Sequence, residues 1–484
     1  MAEMSASDPA AVVAMAPAAG SSQVISLYVS EKKIQPRTVH GWFAAWRWAL
    51  VWSTQVLFYG LPWLQWNDRQ AVLFDLATRR FYVFGLVLHP QDVIYLAGLL
   101  ILSAFALFFF TAVAGRLWCG YACPQTVYTE IFMWVERRFE GDRLARIKLD
   151  AAPWTARKLA RKGAKQGVWL AIGLWTGFTF VAYFTPARAL FADAARLAVG
   201  PWEAFWILFY GFATYGNAGY MREQVCKYMC PYARFQSAML DKDTLVISYD
   251  PLRGEPRGSR SRSVDPRSTG KGDCIDCTLC VQVCPTGIDI RQGLQYECIG
   301  CAACIDACDA VMDKMAYPRG LIRYTTQHGI EQKLSGPAMW RRVARPRIVV
   351  YGTLLLAIAT VFVAGLAMRP PVRADVVRDR GALARIVGEG DVENVYRLQL
   401  MNTTESVQRI EVGVEGLPVA AATIASSVLG PTEARWLPLA VQLPNAAAAR
   451  LGPGVHAIRF RIASTAADGS SSSIDEKSTF VVPR

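Results

Sequence analysis

Eight cysteines between Cys274 and Cys308 constrain this chain more than any other feature of its sequence. They form two successive runs of the pattern C-x2-C-x2-C-x3-C, and only the first run is followed by the expected proline. At this spacing a short loop turns three thiolates toward one centre, while the fourth cysteine, one helical turn later, faces a neighbouring centre. The pattern predicts a bacterial-type ferredoxin with two 4Fe–4S clusters, and therefore transfer of electrons one at a time.

Each predicted cluster combines three cysteines of one run with the last cysteine of the other run. The first cluster is assigned to Cys274, Cys277, Cys280 and Cys308, and the second to Cys298, Cys301, Cys304 and Cys284. Structural zinc sites fit this pattern poorly, because they take four ligands, often with His, and do not repeat an eight-cysteine register. A disulfide framework is not expected on a cytoplasmic segment.

Hydropathy indicates a membrane protein. Hydrophobic residues make up 53% of the 484 residues, and the mean hydropathy of +0.21 is high for a soluble protein. The net charge is +13, but Lys and Arg gather beside apolar stretches, which favours contact with membrane lipid over nucleic acid. Five stretches are long enough to cross a bilayer, at about 41–63, 92–114, 168–184, 202–220 and 348–368. The apolar run 81–88 is too short to span and is expected at the periplasmic interface.

The distribution of basic residues predicts the orientation of the chain in a bacterial inner membrane. The polar segments 115–167 and 222–346 are rich in Lys and Arg, so the positive-inside rule places both in the cytoplasm. The predicted regions are a cytoplasmic tail (1–40), a four-helix membrane domain (41–221), a cytoplasmic segment (222–346) with the ferredoxin at about 265–320, a fifth transmembrane helix (347–368) and a periplasmic domain (369–484). Within the cytoplasmic segment, the Gly-, Ser-, Pro- and Arg-rich stretch 251–271 is expected to be a flexible connector.

The periplasmic domain is predicted to be a β-sandwich of immunoglobulin type. Apolar and polar residues alternate along 395–400, 410–414 and 456–462, which is typical of half-buried strands. Turn-rich breaks separate these strands within about a hundred residues, a usual size for such a domain. The Cys…Trp…Cys signature of antibody domains is absent, so the prediction depends on periodicity alone.

The other four cysteines form two matched pairs of the pattern C-x3-C-P. One pair is Cys119 and Cys123, the other is Cys226 and Cys230, and each follows an even-numbered predicted span, which indicates an internal repeat. Residues four apart share a helix face, so each pair is expected to present two thiols together. Soft thiolates bind Cu(I), zinc or the iron of iron–sulfur centres, and the spacing leaves these and a redox disulfide open. The competing interpretation is buried structural cysteines at helix ends.

Other residues narrow the function. Arg47 lies within the first predicted span, where an arginine indicates a functional site, but its closeness to the cytoplasmic end favours simple snorkelling to the interface. The four histidines are not placed to hold a bis-histidine haem. The sequence contains neither a G-x-G-x-x-G fingerprint nor a P-loop, so NADH oxidation and ATP hydrolysis are not expected.

Several segments resemble the FixG/CcoG/RdxA family along nearly the whole chain. They are Gly115-Arg-Leu-Trp-Cys-Gly-Tyr-Ala-Cys-Pro-Gln-Thr-Val127, Arg222-Glu-Gln-Val-Cys-Lys-Tyr-Met-Cys-Pro-Tyr-Ala-Arg234, Tyr249-Asp-Pro-Leu-Arg-Gly-Glu-Pro-Arg-Gly258, Cys284-Pro-Thr-Gly-Ile-Asp-Ile-Arg291 and Cys304-Ile-Asp-Ala-Cys-Asp309. The resemblance implies an accessory protein for assembly of the cbb3-type cytochrome c oxidase. It further implies a cupric reductase that provides Cu(I), with oxidase assembly factors or copper chaperones as partners.

On this hypothesis, electrons pass from a cytosolic reductant, which the sequence does not identify, through the two clusters to copper. The copper is expected near Cys119, Cys123, Cys226 and Cys230. Two other functions stay open: a quinol-linked electron-transfer subunit that feeds a periplasmic reductase, and a non-catalytic redox sensor or assembly scaffold.

Overall fold

The computed structural model describes residues 33–484, apart from 263–269, 335, 380, 382, 389 and 419–422. Most of the predicted tail 1–40 lies outside these residues, as does part of the predicted connector 251–271. The described chain forms a helical part, a ferredoxin-like part and a β-sandwich, in that order along the sequence.

A helix occupies each of the first four predicted spans. The helices of this part are α1 (Trp42–Gly60), α2 (Val93–Ala114), α3 (Leu117–Tyr121), α4 (Pro124–Glu140), α5 (Arg143–Ala151), α6 (Ala156–Val181), α7 (Ala187–Ala195), α8 (Pro201–Gly216) and α9 (Pro231–Met239). Between α8 and α9 the chain forms two π-helical segments, Asn217–Met221 and Val225–Met229. The helix α6 packs along α8 through glycines, since a Cβ at Gly177 would lie only 2.1 Å from the Ile207 carbonyl oxygen.

Short strands connect α1 to α2. They are β1 (Gln65–Trp66), β2 (Arg69–Gln70), β3 (Val72–Asp75), β4 (Arg80–Val83) and β5 (Leu86–Leu88). The predicted interfacial run 81–88 is thus divided between β4 and β5 of a three-stranded antiparallel sheet. Phe84, with φ of 52°, and Gly85 turn the chain between these two strands.

The ferredoxin-like part is built on one pair of antiparallel strands with short helices around it. Its elements are β6 (Val246–Tyr249), α10 (Pro251–Gly254), α11 (Leu279–Gln282), α12 (Ala303–Met315), β7 (Ile322–Thr325), α13 (Gln327–Glu331) and α14 (Gly336–Val343). Ile247, Ile305, Met312 and Ile322 form its apolar core together with Cys274 and Cys280.

The described part of the predicted flexible connector is anchored to this core, because its polar groups are bonded there. Asp250 caps α10, and the Arg253 guanidinium donates to Asp273 at 2.5 Å and to the Arg319 carbonyl oxygen at 3.0 Å. Gly258 N–H donates to the Cys274 carbonyl oxygen at 3.2 Å. The prediction of a flexible connector is therefore wrong for residues 251–258.

After the long helix α15 (Pro346–Ala367), two antiparallel sheets form the β-sandwich. Its elements are β8 (Val372–Arg378), β9 (Arg385–Val387), β10 (Asp391–Asn402), β11 (Gln408–Glu415), β12 (Thr423–Leu429), β13 (Ala434–Leu443), α16 (Asn445–Leu451), β14 (Gly454–Ala466) and β15 (Ser471–Val482). One sheet has the order β13-β10-β8 with β9 also on β10, and the other has the order β12-β11-β14-β15. Tyr396, Ile410 and Phe460 are buried between the sheets, so the three predicted strands are confirmed within β10, β11 and β14.

Ion pairs join the β-sandwich to the helical part. Asp92, which is buried just before α2, pairs with Arg369 and, at 2.8 Å, with Arg373. Glu405 pairs with Arg69 at 2.5 Å. Within the described residues, two helical stretches are long and apolar enough to cross a membrane, Pro90–Ala114 and Pro346–Ala367.

Candidate iron–sulfur and thiol centres

The four cysteines predicted for the first cluster line one cavity in the ferredoxin-like part. Cys274 and Cys277 come from the loop before α11, Cys280 from α11 and Cys308 from α12. The remaining wall is largely apolar and includes Ile275, Val311, Met312 and Ile322. Several thiols around an apolar cavity suit an iron–sulfur cluster, whose properties depend on such surroundings.

A neighbouring cavity is lined by the four cysteines predicted for the second cluster. Cys284, Cys298, Cys301 and Cys304 surround it. Cys280 lines this cavity as well as the first, so the two sets of thiols are direct neighbours. The structure groups the eight cysteines as predicted, and the assignment of each thiol to a cluster stays a prediction.

The two cysteine loops share one unusual backbone shape. The residues before and after the second cysteine of each run, Cys277 or Cys301, have positive φ. The values are 54° at Asp276, 55° at Thr278, 70° at Gly300 and 59° at Ala302. This conformation costs a non-glycine residue about 1–3 kcal/mol and persists where the surrounding structure imposes it. Its repetition at matching positions indicates that both loops are shaped around the same kind of ligand.

Burial controls the acidity of these thiols. It raises the pKa of Cys280 to about 11 and those of Cys298 and Cys308 to about 12. The free thiols therefore hold their protons at neutral pH, and iron binding would release them. Arg291, paired with Asp289 at 2.7 Å, lowers the pKa of Cys280 against this effect. The donor set and its surroundings fit two 4Fe–4S clusters.

The two C-x3-C-P pairs have equivalent places in a structural repeat. In each half a long helix, α2 or α8, precedes a short helical segment that carries the first cysteine. The second cysteine, Cys123 or Cys230, is extended and precedes the proline that begins α4 or α9. Each pair presents two thiols near each other, as predicted. The helix face expected to do so is wrong, because a residue before proline is driven out of the helical conformation.

The two pairs meet in space and form a four-thiol cluster (Cys119, Cys123, Cys226 and Cys230). Burial, and then the neighbouring Cys123, Cys119 and Cys230, raise the pKa of Cys226 to about 12. Burial, and then Cys123, raise the pKa of Cys119 to about 11. The Cys119 thiol also donates a hydrogen bond to Gln236 Oε1 at 3.4 Å. Cys119 and Cys226 also pack on the same apolar cluster, so the repeat brings its two halves together at this point.

The four-thiol cluster lies against the second set of ferredoxin cysteines. Cys119 and Cys226 pack on the apolar residues around Cys301. A Cβ at Gly120 would lie 2.7 Å from the Gly300 carbonyl group and 2.8 Å from Cys301 Cα, so no side chain separates α3 from this loop. Close approach of two backbones gives an electron a short path between the two groups of thiols.

Contacts with α1 hold the ferredoxin-like part in place. Arg47 is buried, and its Nη1 donates to the Cys301 carbonyl oxygen at 2.9 Å. The prediction that Arg47 snorkels is therefore wrong. Asp306 on α12 caps the start of α1 by accepting from Phe43 N at 3.2 Å and Ala44 N at 2.7 Å.

One buried cation, Arg116, acts on both groups of thiols. It lowers the pKa of Cys119, Cys226 and Cys298 against the larger opposite effect of burial. Sequence reasoning missed Arg116, although its place three residues before Cys119 was an available signal. It also missed Gln236 and Asp306, whose roles depend on contacts between distant segments.

The distances between thiols distinguish ligands of an iron–sulfur cluster from ligands of a single metal ion. Within the part of the chain that the structure describes, no three His, Cys, Asp or Glu side chains are grouped closely enough to hold one metal ion. The thiolates of a cubane bind different irons, so they lie further apart than ligands of one ion. The four-thiol cluster would have to contract to hold a single copper ion.

Three family models match parts of the chain. A 4Fe–4S dicluster domain matches residues 221–327, and a 4Fe–4S binding domain matches residues 96–141, which contain Cys119 and Cys123. The immunoglobulin-like fold at the carboxyl terminus of FixG matches residues 362–483. The predictions of iron–sulfur clusters and of an immunoglobulin-like domain are confirmed.

Curated relatives extend over most of the chain. The nitrogen fixation protein FixG of Rhizobium meliloti is 38% identical over 435 residues, which are 84% of this chain and 83% of that protein. Protein RdxA of Cereibacter sphaeroides is 42% identical over 399 residues, 81% of this chain and 84% of that protein. The crystal structure of a FixG-related protein from Vibrio parahaemolyticus covers 23% of this chain and 97% of that one, at 26% identity and a TM-score of 0.20.

Proposed function

Since the chain belongs to the FixG family and is an iron–sulfur electron-transfer protein, we propose that it reduces Cu(II) to Cu(I) for assembly of the cbb3-type cytochrome c oxidase. The observation that carries the proposal is the packing of the four-thiol cluster against the loop of Cys301. Thiolates are soft ligands that favour Cu(I). Copper is the substrate at this site. When bound Cu(II) gains one electron it becomes Cu(I), the ion that thiolates bind more strongly.

The ferredoxin cysteines supply the electrons in this proposal. Cys274, Cys277, Cys280 and Cys308 hold one 4Fe–4S cluster, and Cys298, Cys301, Cys304 and Cys284 hold the other; bound clusters provide one-electron storage and transfer. Arg47 fixes the Cys301 loop, and the close contact of Gly120 with Gly300 keeps that loop against α3. Arg116 favours the thiolate form of Cys119 and Cys226, which is the form that binds metal.

We place the protein in the bacterial inner membrane with α1, α2, α6, α8 and α15 as its five spans. Large apolar side chains are exposed along the helices that are less apolar overall, such as Trp52 on α1 at 65% and Trp202 on α8 at 72%. A surface of this kind is stable against lipid. The basic segments put the ferredoxin-like part in the cytoplasm and the β-sandwich in the periplasm. The edge strands β12 and β15 then offer a surface to oxidase assembly factors or copper chaperones.

The test uses the full chain, purified anaerobically in detergent, reduced with dithionite and freed of excess reductant. One equivalent of Cu(II) is added with a Cu(I) chelator present, and cluster absorbance and the Cu(I) chelate are followed together. We expect the reduced clusters to be reoxidised as a matching amount of Cu(I) forms. The double variant Cys226→Ser/Cys230→Ser should reduce copper at least about tenfold more slowly, because it lacks half of the soft ligands, and should keep its cubane absorbance.

The matched control is Met229→Ser, which lies between the two cysteines, is exposed and leaves both thiols intact. It should behave as the wild type. Clusters that stay reduced while Cu(II) persists would show that copper is not the acceptor. Loss of iron–sulfur absorbance in the double variant would show that the four-thiol cluster holds an iron–sulfur centre instead of copper, in line with the family match at 96–141.

A further inference from the structure

Two adjoining cavities lie where α1, α4 and α6 approach the ferredoxin-like part. The smaller one, called here the polar chamber, has a volume of about 310 Å³ and is lined by His40, Arg47, Glu130, Arg137, Arg146 and Pro285, among others. The larger one, called here the apolar chamber, has a volume of about 1090 Å³, and its walls include Trp48, Trp52, Trp134 and Trp175. His40, Trp48 and Arg137 line both chambers, so the two chambers adjoin. Together they suit a molecule with a compact polar head and a long apolar tail.

The apolar chamber opens at the side of the helices. Trp52 and Val56, which line it, are each 65% exposed. Both belong to α1, one of the helices proposed to cross the membrane. A lipophilic molecule can therefore enter from the bilayer without passing through water.

The wall of the polar chamber carries buried arginine side chains. Arg47 and Arg146 line the chamber and are only 7% and 2% exposed. Guanidinium groups favour ligands with oxygen acceptors, so a head group that bears oxygen atoms suits this wall. Glu130, 3.8 Å from Arg137, adds a carboxylate to the same wall.

One wall of the polar chamber is the binding loop of the second cysteine set. Val283 and Pro285, on either side of Cys284, line the chamber, and so does Ala303. Arg47 lines it as well and donates to the Cys301 carbonyl oxygen at 2.9 Å. A ring held in the chamber is thus next to two cysteines of the predicted second cluster, which favours a redox-active ligand over a structural lipid.

We propose that the two chambers bind an isoprenoid quinol, with its head group in the polar chamber and its tail in the apolar chamber, and that this quinol is the electron donor. This inference rests on the proposed function, to which it adds the donor. It replaces the cytosolic reductant expected from the sequence with one that reaches the protein through the membrane.

The step balances with Cu(II) as the final acceptor. One quinol loses two electrons and two protons and becomes a quinone, while two Cu(II) ions each gain one electron and become Cu(I). The electrons leave one at a time through the wall formed by Pro285 and the Cys301 loop. The protons pass to the Glu130 carboxylate and the His40 imidazole, and from there to water. The positive charge of Arg47 and Arg146 in the chamber wall attracts the ring oxygens in either redox form.

The binding test measures equilibrium binding of decylubiquinone to the full chain in detergent, by ultrafiltration and chromatography. Ala171→Trp adds a large side chain to the wall of the apolar chamber and should weaken binding at least about tenfold, which corresponds to 1.4 kcal/mol. The matched control, Ala357→Trp, makes the same change on an exposed position of α15 and should bind as the wild type.

The electron-transfer test mixes the oxidised protein with decylubiquinol without oxygen and follows bleaching of the cluster absorbance. Ala171→Trp, and separately Arg137→Gln in the wall shared by the chambers, should slow bleaching by quinol at least about tenfold. Both variants should still bleach fully with dithionite and should then reduce Cu(II) as the wild type does. Bleaching by dithionite tests the clusters, and the reduction of Cu(II) that follows tests the proposed function; neither measurement involves the quinol.

Three outcomes would overturn the quinol site: equal binding by the Ala171→Trp and Ala357→Trp variants, complete displacement of the quinone by phosphatidylglycerol, or no bleaching by quinol of a protein that dithionite bleaches. The second outcome would identify the chambers as a lipid site. Rapid bleaching by quinol without reduction of Cu(II) would support the quinol site and overturn the proposed function.

Discussion

At the scale of single residues, burial and one cation have opposite effects on the pKa of the thiols in the four-thiol cluster. Burial raises the pKa of Cys119 to about 11 and that of Cys226 to about 12, so the protonated thiols predominate at neutral pH. The buried Arg116 opposes this effect at both cysteines and also at Cys298 of the second set. A group that stabilises the thiolate also stabilises the metal complex, since metal displaces the proton.

Replacement of this cation should weaken metal binding. We expect Arg116→Gln to lower the affinity of the four-thiol cluster for Cu(I) by about ten- to a hundredfold, the usual effect of losing a group that supports metal ligands. Arg116→Lys keeps the charge and should retain most of the affinity. Competition titration against a Cu(I) chelator measures both, and an affinity unchanged in Arg116→Gln would show that the cation has no such role.

At the scale of elements, one buried carboxylate ties the two halves of the internal repeat together. Glu136, on the helix that starts after Cys123, is 2.7 Å from Arg146 on α5 and 3.9 Å from Lys165 on α6. It is also 3.0 Å from Arg222, which lies four residues before Cys226. Helices that carry the two cysteine pairs are thus fixed by a shared anion, because burial leaves these cations no water to replace it.

Loss of the Glu136 carboxylate should lower the free energy of unfolding. We expect Glu136→Gln to destabilise the helical part by about 3–5 kcal/mol, since it leaves the buried Arg146 and Arg222 without a carboxylate partner. The control, Glu331→Gln, changes an exposed glutamate bonded to Gln327 and should change stability by less than about 0.5 kcal/mol. Urea unfolding in detergent measures both variants, and equal midpoints would contradict the expectation.

The Glu136 carboxylate also makes the difference in stability between the wild type and Glu136→Gln depend on pH. Burial acts to raise the pKa of Glu136, but Arg222, Arg146, Lys33 and Lys165 outweigh it and hold the pKa below its usual value. A pKa lowered by folding contributes stability above the unfolded value of about 4.3, and this contribution is lost as the pH falls through the folded value. The gap in urea midpoint between the wild type and Glu136→Gln should therefore narrow as the pH falls below about 4.3. A constant gap would exclude an ionised carboxylate as its cause.

At the scale of the whole molecule, the helices connect functions that lie at their opposite ends. The thiol centres cluster where α1, α3 and α12 meet, around Gly120 and Cys301. The β-sandwich is attached at the other end of α2, through Asp92 and its two arginines. In the proposed orientation, electrons and copper meet on the cytoplasmic side, and the partner surface faces the periplasm.

Reporter fusions test this orientation. Alkaline phosphatase, which folds only outside the cytoplasm, should be active when fused after Arg484 and inactive when fused after Leu334. The Lys and Arg residues after residue 222 keep the shorter fusion in the cytoplasm. In the longer fusion, Arg341, Arg342, Arg345 and Arg347 hold the start of α15 inside, so that α15 carries the enzyme across. The opposite pattern of activity would reverse the orientation and place the clusters outside.

Sequence patterns were most informative where the governing interaction is local. Cysteine spacing predicted both sets of ferredoxin thiols, because a loop of a few residues determines which thiols can face one centre. Alternation predicted the strands around Tyr396, Ile410 and Phe460, because side chains in a strand point to opposite faces in turn. The C-x3-C-P pattern predicted a repeat, and its proline is the local cause of the break in the helix between the two cysteines.

The sequence by itself determined the kind of protein this is: an iron–sulfur chain with two cysteine runs, a repeated thiol pair and a carboxyl-terminal β-sandwich. Only the tertiary structure decided that the thiol pairs meet, that they lie against Cys301, that Arg47 turns inward and that two chambers adjoin Cys284. These features depend on contacts between distant segments, such as Arg47 and Cys301, which are 254 residues apart. Local periodicity and spacing do not encode such contacts, since they arise from the way that whole helices pack around buried charge and apolar surface.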